Sequence, residues 1–396
     1  MVVRLALPAA LLLALAAALP TRAGTLANDV AALQRDCEDR PDTICASPRV
    51  ERIKARLRGS ADAQLRNAPA DLDAPTLERR LALGLPGTDD DGGCSSDPAS
   101  GNGLGQLGLS LRRAGSDVEV RSSIGLTCAS DESAYLYHWS GAGWRPYWRA
   151  EQRFARDDSY RPRQLTAVQR APDHGLVLAA GVEQWCSSSW HRVYYQLWRA
   201  APGQTQRLLL DGADFAFLPD IVGPLGARLD GADAYVEYLV PSVDPALHSR
   251  GTLMHYRVDG DSVRRVDPIA LSPSTFVEEW LTAPWPQSAA WTEPSAREAA
   301  RQWHQATRDR RNGAALMAMF ADGEGRALRC RGDRSLWQVA LEFPEARPKQ
   351  RAAWFLVRWQ EPYRFRLAAV AAKPWPNCTE DADPNGRDRR LLPQED

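Results

Sequence analysis

Apolar positions follow four different rhythms along this chain of 396 residues. Leu5 to Leu19 is an almost unbroken apolar run. From residue 24 to residue 86 the rhythm is helical: Leu26, Val30, Leu33 and Cys37 recur at three- and four-residue steps. Ser47-Pro48 reads as a cap with proline at the first helical position, Val50, Ile53 and Leu57 form the next face, and Gly59 is expected to end it. A third short helix is predicted from Pro75 to Leu83, with Leu77 and Leu81 on one side. Three short amphipathic helices bury little alone, so they are expected to pack on the body of the chain downstream.

Residues 87–104 carry mostly Asp, Gly and Ser and read as a linker. From 105 to 270 the pattern turns to strands. Three stretches repeat an aromatic strand, a glycine turn and a second strand. They begin at Ala134, Val193 and Thr252, and Trp139, Trp198 and Arg257 end their first strands. The turns at Ser140–Gly143, Ala200–Gly203 and Asp259-Gly260 hold the glycines that a hairpin needs. A further strand precedes each hairpin, so the predicted unit is a four-stranded meander. A fourth hairpin is expected from Trp354. These strand–turn–strand units, with Trp or Tyr closing the inner hairpin, resemble the blades of β-propeller proteins. The resemblance covers residues 105–270 and implies radial packing of antiparallel sheets. An open or sandwich-like β-domain is the alternative.

Residues 271–380 read as an α+β module. A helix is predicted through Ser274–Leu281, a Pro- and Trp-rich joint through 282–291, a helix from Pro294 with Ala296, Ala299, Ala300 and Trp303 on one face, and another helical turn through 314–320. Strands are expected near 326–331, 336–343, 353–359 and 363–371. Residues 381–396 read as a disordered tail. The fold class is therefore mainly β: an antiparallel repeat domain with a helical N-terminal segment and a C-terminal α+β module.

The opening run changes the picture of where the chain works. Arg4 precedes it, Pro20 breaks it, and Thr21-Arg22-Ala23 sets small residues before Gly24, the pattern of a signal peptide over residues 1–23. The run is about 15 residues, short of the roughly 20 that a spanning helix needs. No membrane span is expected. Arginine-rich, alanine-rich composition suggests a bacterial source, hence a periplasmic or secreted protein. The formal net charge of −1 gives no electrostatic case for nucleic acid. In an oxidising compartment the seven cysteines argue for disulfides. Cys37 with Cys45 and Cys330 with Cys378 are expected pairs. Cys128 and Cys186 occupy equivalent places in neighbouring repeats and form the third, leaving Cys94 over. Sequence alone does not fix this connectivity.

Candidate chemistry is thin, and no cofactor or metal is expected. His138, His191 and His255 lie near the repeat hairpins, but their unequal spacing from the aromatic residues argues against a shared zinc site. Asp89, Asp90 and Asp91 lack the ligand spacing of a calcium loop. The tail motif from Asp381 to Gly386 has Leu392 where such a loop requires Glu. Glu183 and His191 are the candidate acid–base residues, with Ser187, Ser188 and Ser189 between them and no nucleophile elbow around them. Glu278 and Glu279 are an acidic pair whose adjacent places on a helix point them in different directions. Trp144, Trp148, Trp185 and Trp190 lie near turns and are the candidate binding surface for a peptide or sugar. Trp139, Trp198, Trp303 and Trp359 are assigned to the core. The expected function is a non-enzymatic binding module of the envelope with a protein or glycan ligand; the alternative is a hydrolase acting on a cell-envelope polymer.

Overall fold

The structure of the protein is a computed structural model. It describes residues 20–37, 48–71, 73–82, 85, 103–126, 129–154, 162–183, 189–217, 225–266, 270–308, 314–346, 351–361 and 364–381. Three helices come first: α1 (Pro20–Cys37), α2 (Arg49–Arg66) and α3 (Ala74–Ala82). α1 begins ahead of the expected cleavage position at Ala23. α2 does not stop at Gly59, because Ala61 and Leu65 carry the buried row Val50, Ile53, Leu57 two turns further. One interior glycine costs a helix about 1 kcal/mol, and this row of buried side chains outweighs it.

Twelve strands then form three antiparallel meanders. The first holds β1 (Leu107–Ala114), β2 (Asp117–Leu126), β3 (Ala129–Trp139) and β4 (Trp144–Ala150). The second holds β5 (Arg163–Ala171), β6 (Leu176–Glu183), β7 (Trp190–Arg199) and β8 (Arg207–Phe217). The third holds β9 (Gly226–Asp230), β10 (Asp233–Pro241), β11 (Ser249–Asp259) and β12 (Ser262–Arg265). In each, strands neighbour one another in sequence order. The four-stranded repeat unit read from the sequence is therefore present three times. Its turns use glycine as expected, with positive φ at Gly141, Gly143, Gly203 and Gly260. Gly212 on β8 has another reason: a Cβ there would sit 2.0 Å from the Tyr195 ring.

The C-terminal part holds α4 (Pro273–Thr282), α5 (Trp285–Ala290), α6 (Arg297–Ala306) and strands β13 (Met319–Phe320), β14 (Leu328–Cys330), β15 (Leu336–Glu342), β16 (Ala352–Glu361), β17 (Arg364–Ala371) and β18 (Cys378–Asp381). The expected fourth hairpin is β16–β17. Two expectations fail. The Pro- and Trp-rich joint contains α5, because Pro284 and Pro286 stand at and just inside a helix start, where the backbone N–H they lack is not needed. Residues 314–320 are not helical; they end in β13, which pairs with β15. The sequence reading also missed β18.

The chain divides into two units. One contains residues 1–165, 181–188 and 199–207; the other contains 166–180, 189–198 and 208–396. In the first, α2 crosses the β1–β4 sheet between two apolar clusters. One holds Ile53, Leu57, Ile124 and Leu126; the other holds Ala61, Leu65, Val118, Tyr135 and Trp144. In the second, α4 lies on the C-terminal sheet, and Phe276, Trp280, Val339, Leu341, Phe355 and Leu367 fill one core. Among the described residues, no helix is long and apolar enough to cross a membrane.

Candidate functional site

A polar row runs along α2 beside the residues that enter the two apolar clusters of the first unit. Lys54, Arg58 and Asp62 repeat at four-residue spacing and so share one side of α2. Each reaches the sheet. Lys54 Nζ lies 2.7 Å from Asp131 Oδ2 on β3, and both side chains are buried. The same ammonium donates to the Gln152 carbonyl at 2.9 Å. Arg58 pairs with Glu151, which also accepts from the Tyr135 hydroxyl at 3.2 Å. Asp62 accepts from the Tyr137 hydroxyl at 2.7 Å. Burial pushes the Asp131 carboxyl up to about 6, against the pull of Lys54.

That shift fixes a pH dependence. The folded chain holds a proton on Asp131 that the unfolded chain has already lost between pH about 4 and about 6. Stability from this group is therefore greatest in acid and falls as pH rises through that window. The change is at most about 3 kcal/mol, from ~1.4 kcal/mol per pH unit. Chemical denaturation at several pH values should show this fall in the wild type and not in Asp131→Asn. An equal slope in both would assign it to other groups.

The candidate acids are bound as firmly. Glu183 ends β6 and takes Arg163 Nη2 at 3.0 Å and Nε at 3.2 Å on one oxygen. His191 is buried on β7. Glu183 belongs to the first unit and His191 to the second. Glu278 and Glu279 leave α4 in different directions, as adjacent helical residues must, yet both reach the guanidinium of Arg250. Arg250 Nε is 3.4 Å from Glu278 and Nη1 is 4.0 Å from Glu279. Arg265 closes on Glu279 from the other side, and the Ser242 hydroxyl donates to Glu278 at 2.6 Å.

The histidines take separate partners. His138 Nδ1 meets Asp117 at 2.7 Å, and Tyr147 donates to the other oxygen of that carboxylate at 2.9 Å. His255 Nε2 meets Asp233 at 2.7 Å and stacks on Tyr235, 4.4 Å between centroids. Asp117 and Asp233 each open the second strand of their meander and each meets a histidine of the next strand, His138 directly opposite and His255 two residues from the opposed Arg257, which also binds Asp233. His138 and His255 each stand one residue from a repeat Trp or Tyr, and it is His191, seven residues before Trp198, that breaks the series.

Sequence reading missed a serine–histidine contact. Ser288 Oγ on α5 lies 3.3 Å from His304 Nε2 on α6. It is not arranged as a nucleophile and base. Ser288 is fully buried and its hydroxyl also contacts the Trp280 carbonyl at 2.8 Å. Burial, aided by the charge of Arg308, holds His304 down at about 4.

The tryptophan surface is corrected by burial. Trp144 and Trp148 are only 2% and 1% exposed. The β3–β4 register shifts between Leu136 and Tyr137, so Tyr147 is an extra residue in β4. Trp144 then lies opposite Trp139 and Trp148 opposite Leu136, on the two faces of the sheet, and both are covered. Trp190 is half-buried, as are Trp139, Trp198 and Trp303. Trp359, assigned to the core from sequence, is 44% exposed on β16.

Cys330 and Cys378 form the expected disulfide. Cys37 is also disulfide-bonded. Cys45, Cys94, Cys128, Cys186, Trp185, Ser187, Ser188, the acidic run at Asp89, Asp90 and Asp91, and the tail beyond Asp381 lie outside the described residues. The chain matches no protein-family model and no curated protein sequence.

Proposed function

We propose that this chain is an exported binding module of the bacterial envelope, which holds a protein or glycan ligand without altering it. The observation that carries this reading is the placement of the candidate acids. Glu183, Glu278 and Glu279 are buried and each answers an arginine. A general acid or base must reach the atom it protonates, and these carboxylates face their own cations instead. Export is supported by the apolar run at the N-terminus and by the Cys330–Cys378 bridge. The ligand contact we assign is Trp359, whose exposed indole offers a flat apolar face for a sugar ring or a peptide.

The test is retention of envelope proteins and of an immobilised glycan array by residues 24–396, wild type against Trp359→Ala. A central tryptophan contact is worth about 2 kcal/mol or more, so retention should fall roughly 30-fold. Loss of an exposed side chain should leave the thermal midpoint nearly unchanged. Unchanged retention would remove Trp359 from the binding surface.

A further inference from the structure

The C-terminal sheet runs β17-β16-β15-β14-β18, so its last strand lies at the edge opposite the strand that precedes it in sequence. Residues 372–377 must cross three strands to get there. Four inter-strand steps of about 4.8 Å make ~19 Å, and the chain from Ala371 to Cys378 reaches at most about 25 Å. The connection is a nearly taut strap. Pro374 and Pro376 fix φ on both sides of Trp375, and a turn closes the strap where Cys378 N–H donates to the Trp375 carbonyl at 3.1 Å.

The face that it crosses is identified by Gln338. Its neighbours Val339 and Leu341 point into the core with α4. Gln338 points the other way and its Oε1 accepts from the Trp375 N–H at 2.6 Å. Leu328 and Leu356 stand directly opposite Gln338 in the ladder, and Trp354 lies two residues from Leu356 on the same face. The strap thus meets this face at Gln338, which Leu328 and Leu356 flank.

The far end is held by one covalent bond, a short ladder and an ion pair between Arg331 Nε and Glu380 at 3.9 Å. Among the described residues β18 pairs only with β14, through Leu328–Asp381, Arg329–Glu380 and Cys330–Cys378. Arg331 N donates to the Asn377 carbonyl at 2.7 Å, and Asn377 Nδ2 returns a bond to Arg331 O at 3.2 Å. The disulfide joins directly opposed residues of these two short strands.

We propose that the Cys330–Cys378 bridge is a thiol-exchange latch, whose reduction releases the strap 372–377 and uncovers the apolar outer face of the C-terminal sheet. The reductant is a dithiol. One of its thiolates attacks a cysteine sulfur and breaks the S–S bond, giving a mixed disulfide. Its second thiol displaces that cysteine, and the reductant leaves as a disulfide. Cys330 and Cys378 together gain two electrons and two protons. Both sulfurs are buried, so attack follows local opening of β18, a four-residue strand at the sheet edge.

The experiment treats the folded full chain with dithiothreitol, without denaturant. Thiol alkylation, amide hydrogen exchange and binding of an apolar dye are followed together. Cys330 and Cys378 should become alkylated while the amides of Val339 and Phe355 stay protected. Exchange in 375–381 should accelerate roughly tenfold or more, and dye binding should rise. The Cys330→Ser/Cys378→Ser variant should bind dye at the raised level without reductant. The proposal is overturned if alkylation appears only when Val339 and Phe355 lose protection. It is equally overturned if the bridge is cut and neither exchange nor dye binding changes. Should the double variant fail to fold, reduction of the wild type decides alone.

Discussion

Replacing Lys54 by methionine is expected to cost about 3–5 kcal/mol at neutral pH, the usual penalty for leaving one member of a buried ion pair alone. Lys54 and Asp131 are 2% and 0% exposed, so water cannot replace the lost partner. The loss should shrink in acid, because an Asp131 carboxyl already pushed up by burial takes its proton more readily once the ammonium is gone. The double change Lys54→Met with Asp131→Leu should recover most of the loss or exceed the wild type, since apolar replacements for buried pairs are often neutral or stabilising. Urea denaturation of the four proteins at pH 7 measures this cycle. A single-variant loss under about 1 kcal/mol would mean that the polar row is open to water.

The second large effect is expected at Arg250. Arg250→Leu removes the cation that lies 3.4 Å from the buried Glu278 and one of the two arginines beside Glu279. The expected loss is again about 3–5 kcal/mol. Arg250→Lys should recover little, because a compact ammonium lacks the span of the guanidinium, which lies 3.4 Å from Glu278 and 4.0 Å from Glu279 and donates to Thr282. Thermal unfolding followed by calorimetry reads both variants, with the change confined to the transition of the second unit if the two units melt separately. A variant that melts like the wild type would show the two carboxylates to be solvated.

The meanders were legible because two local signals agree in them. Aromatic side chains close the inner hairpins, and glycines sit where φ is positive. Local and tertiary preference point the same way, so the repeat could be read without knowing what packs on it. Where a boundary depended on burial, the sequence misled. Gly59 reads as a stop, but Ala61 and Leu65 beyond it are fully buried and continue α2. β18 was invisible because its few polar residues become a strand only by pairing with β14.

The site was less legible than the fold. Lys54 and Asp131 stand far apart in sequence and neither belongs to a motif, so nothing local announces their pair. Glu278 and Glu279 were found as an acidic pair, but Arg250, which gives them a common partner, lies on β11. The tryptophans near the β3–β4 turn read as a surface because turns are exposed. One extra residue in β4 sends them to opposite faces, and no pattern in the sequence marks that bulge. Trp359 ends a run of buried positions, Ala353, Phe355 and Val357, and by alternation belongs to the core. At the end of that run its indole is left in solvent.

A module that only binds leaves its ligand chemically unchanged, as we propose for this chain. The direct measurement is mass spectrometry of whatever residues 24–396 retain from envelope extract, before and after prolonged incubation with the protein. A ligand of unchanged mass, bound at a fixed ratio, is the expected result. Progressive cleavage of that ligand, abolished in Glu183→Gln, would contradict the claim.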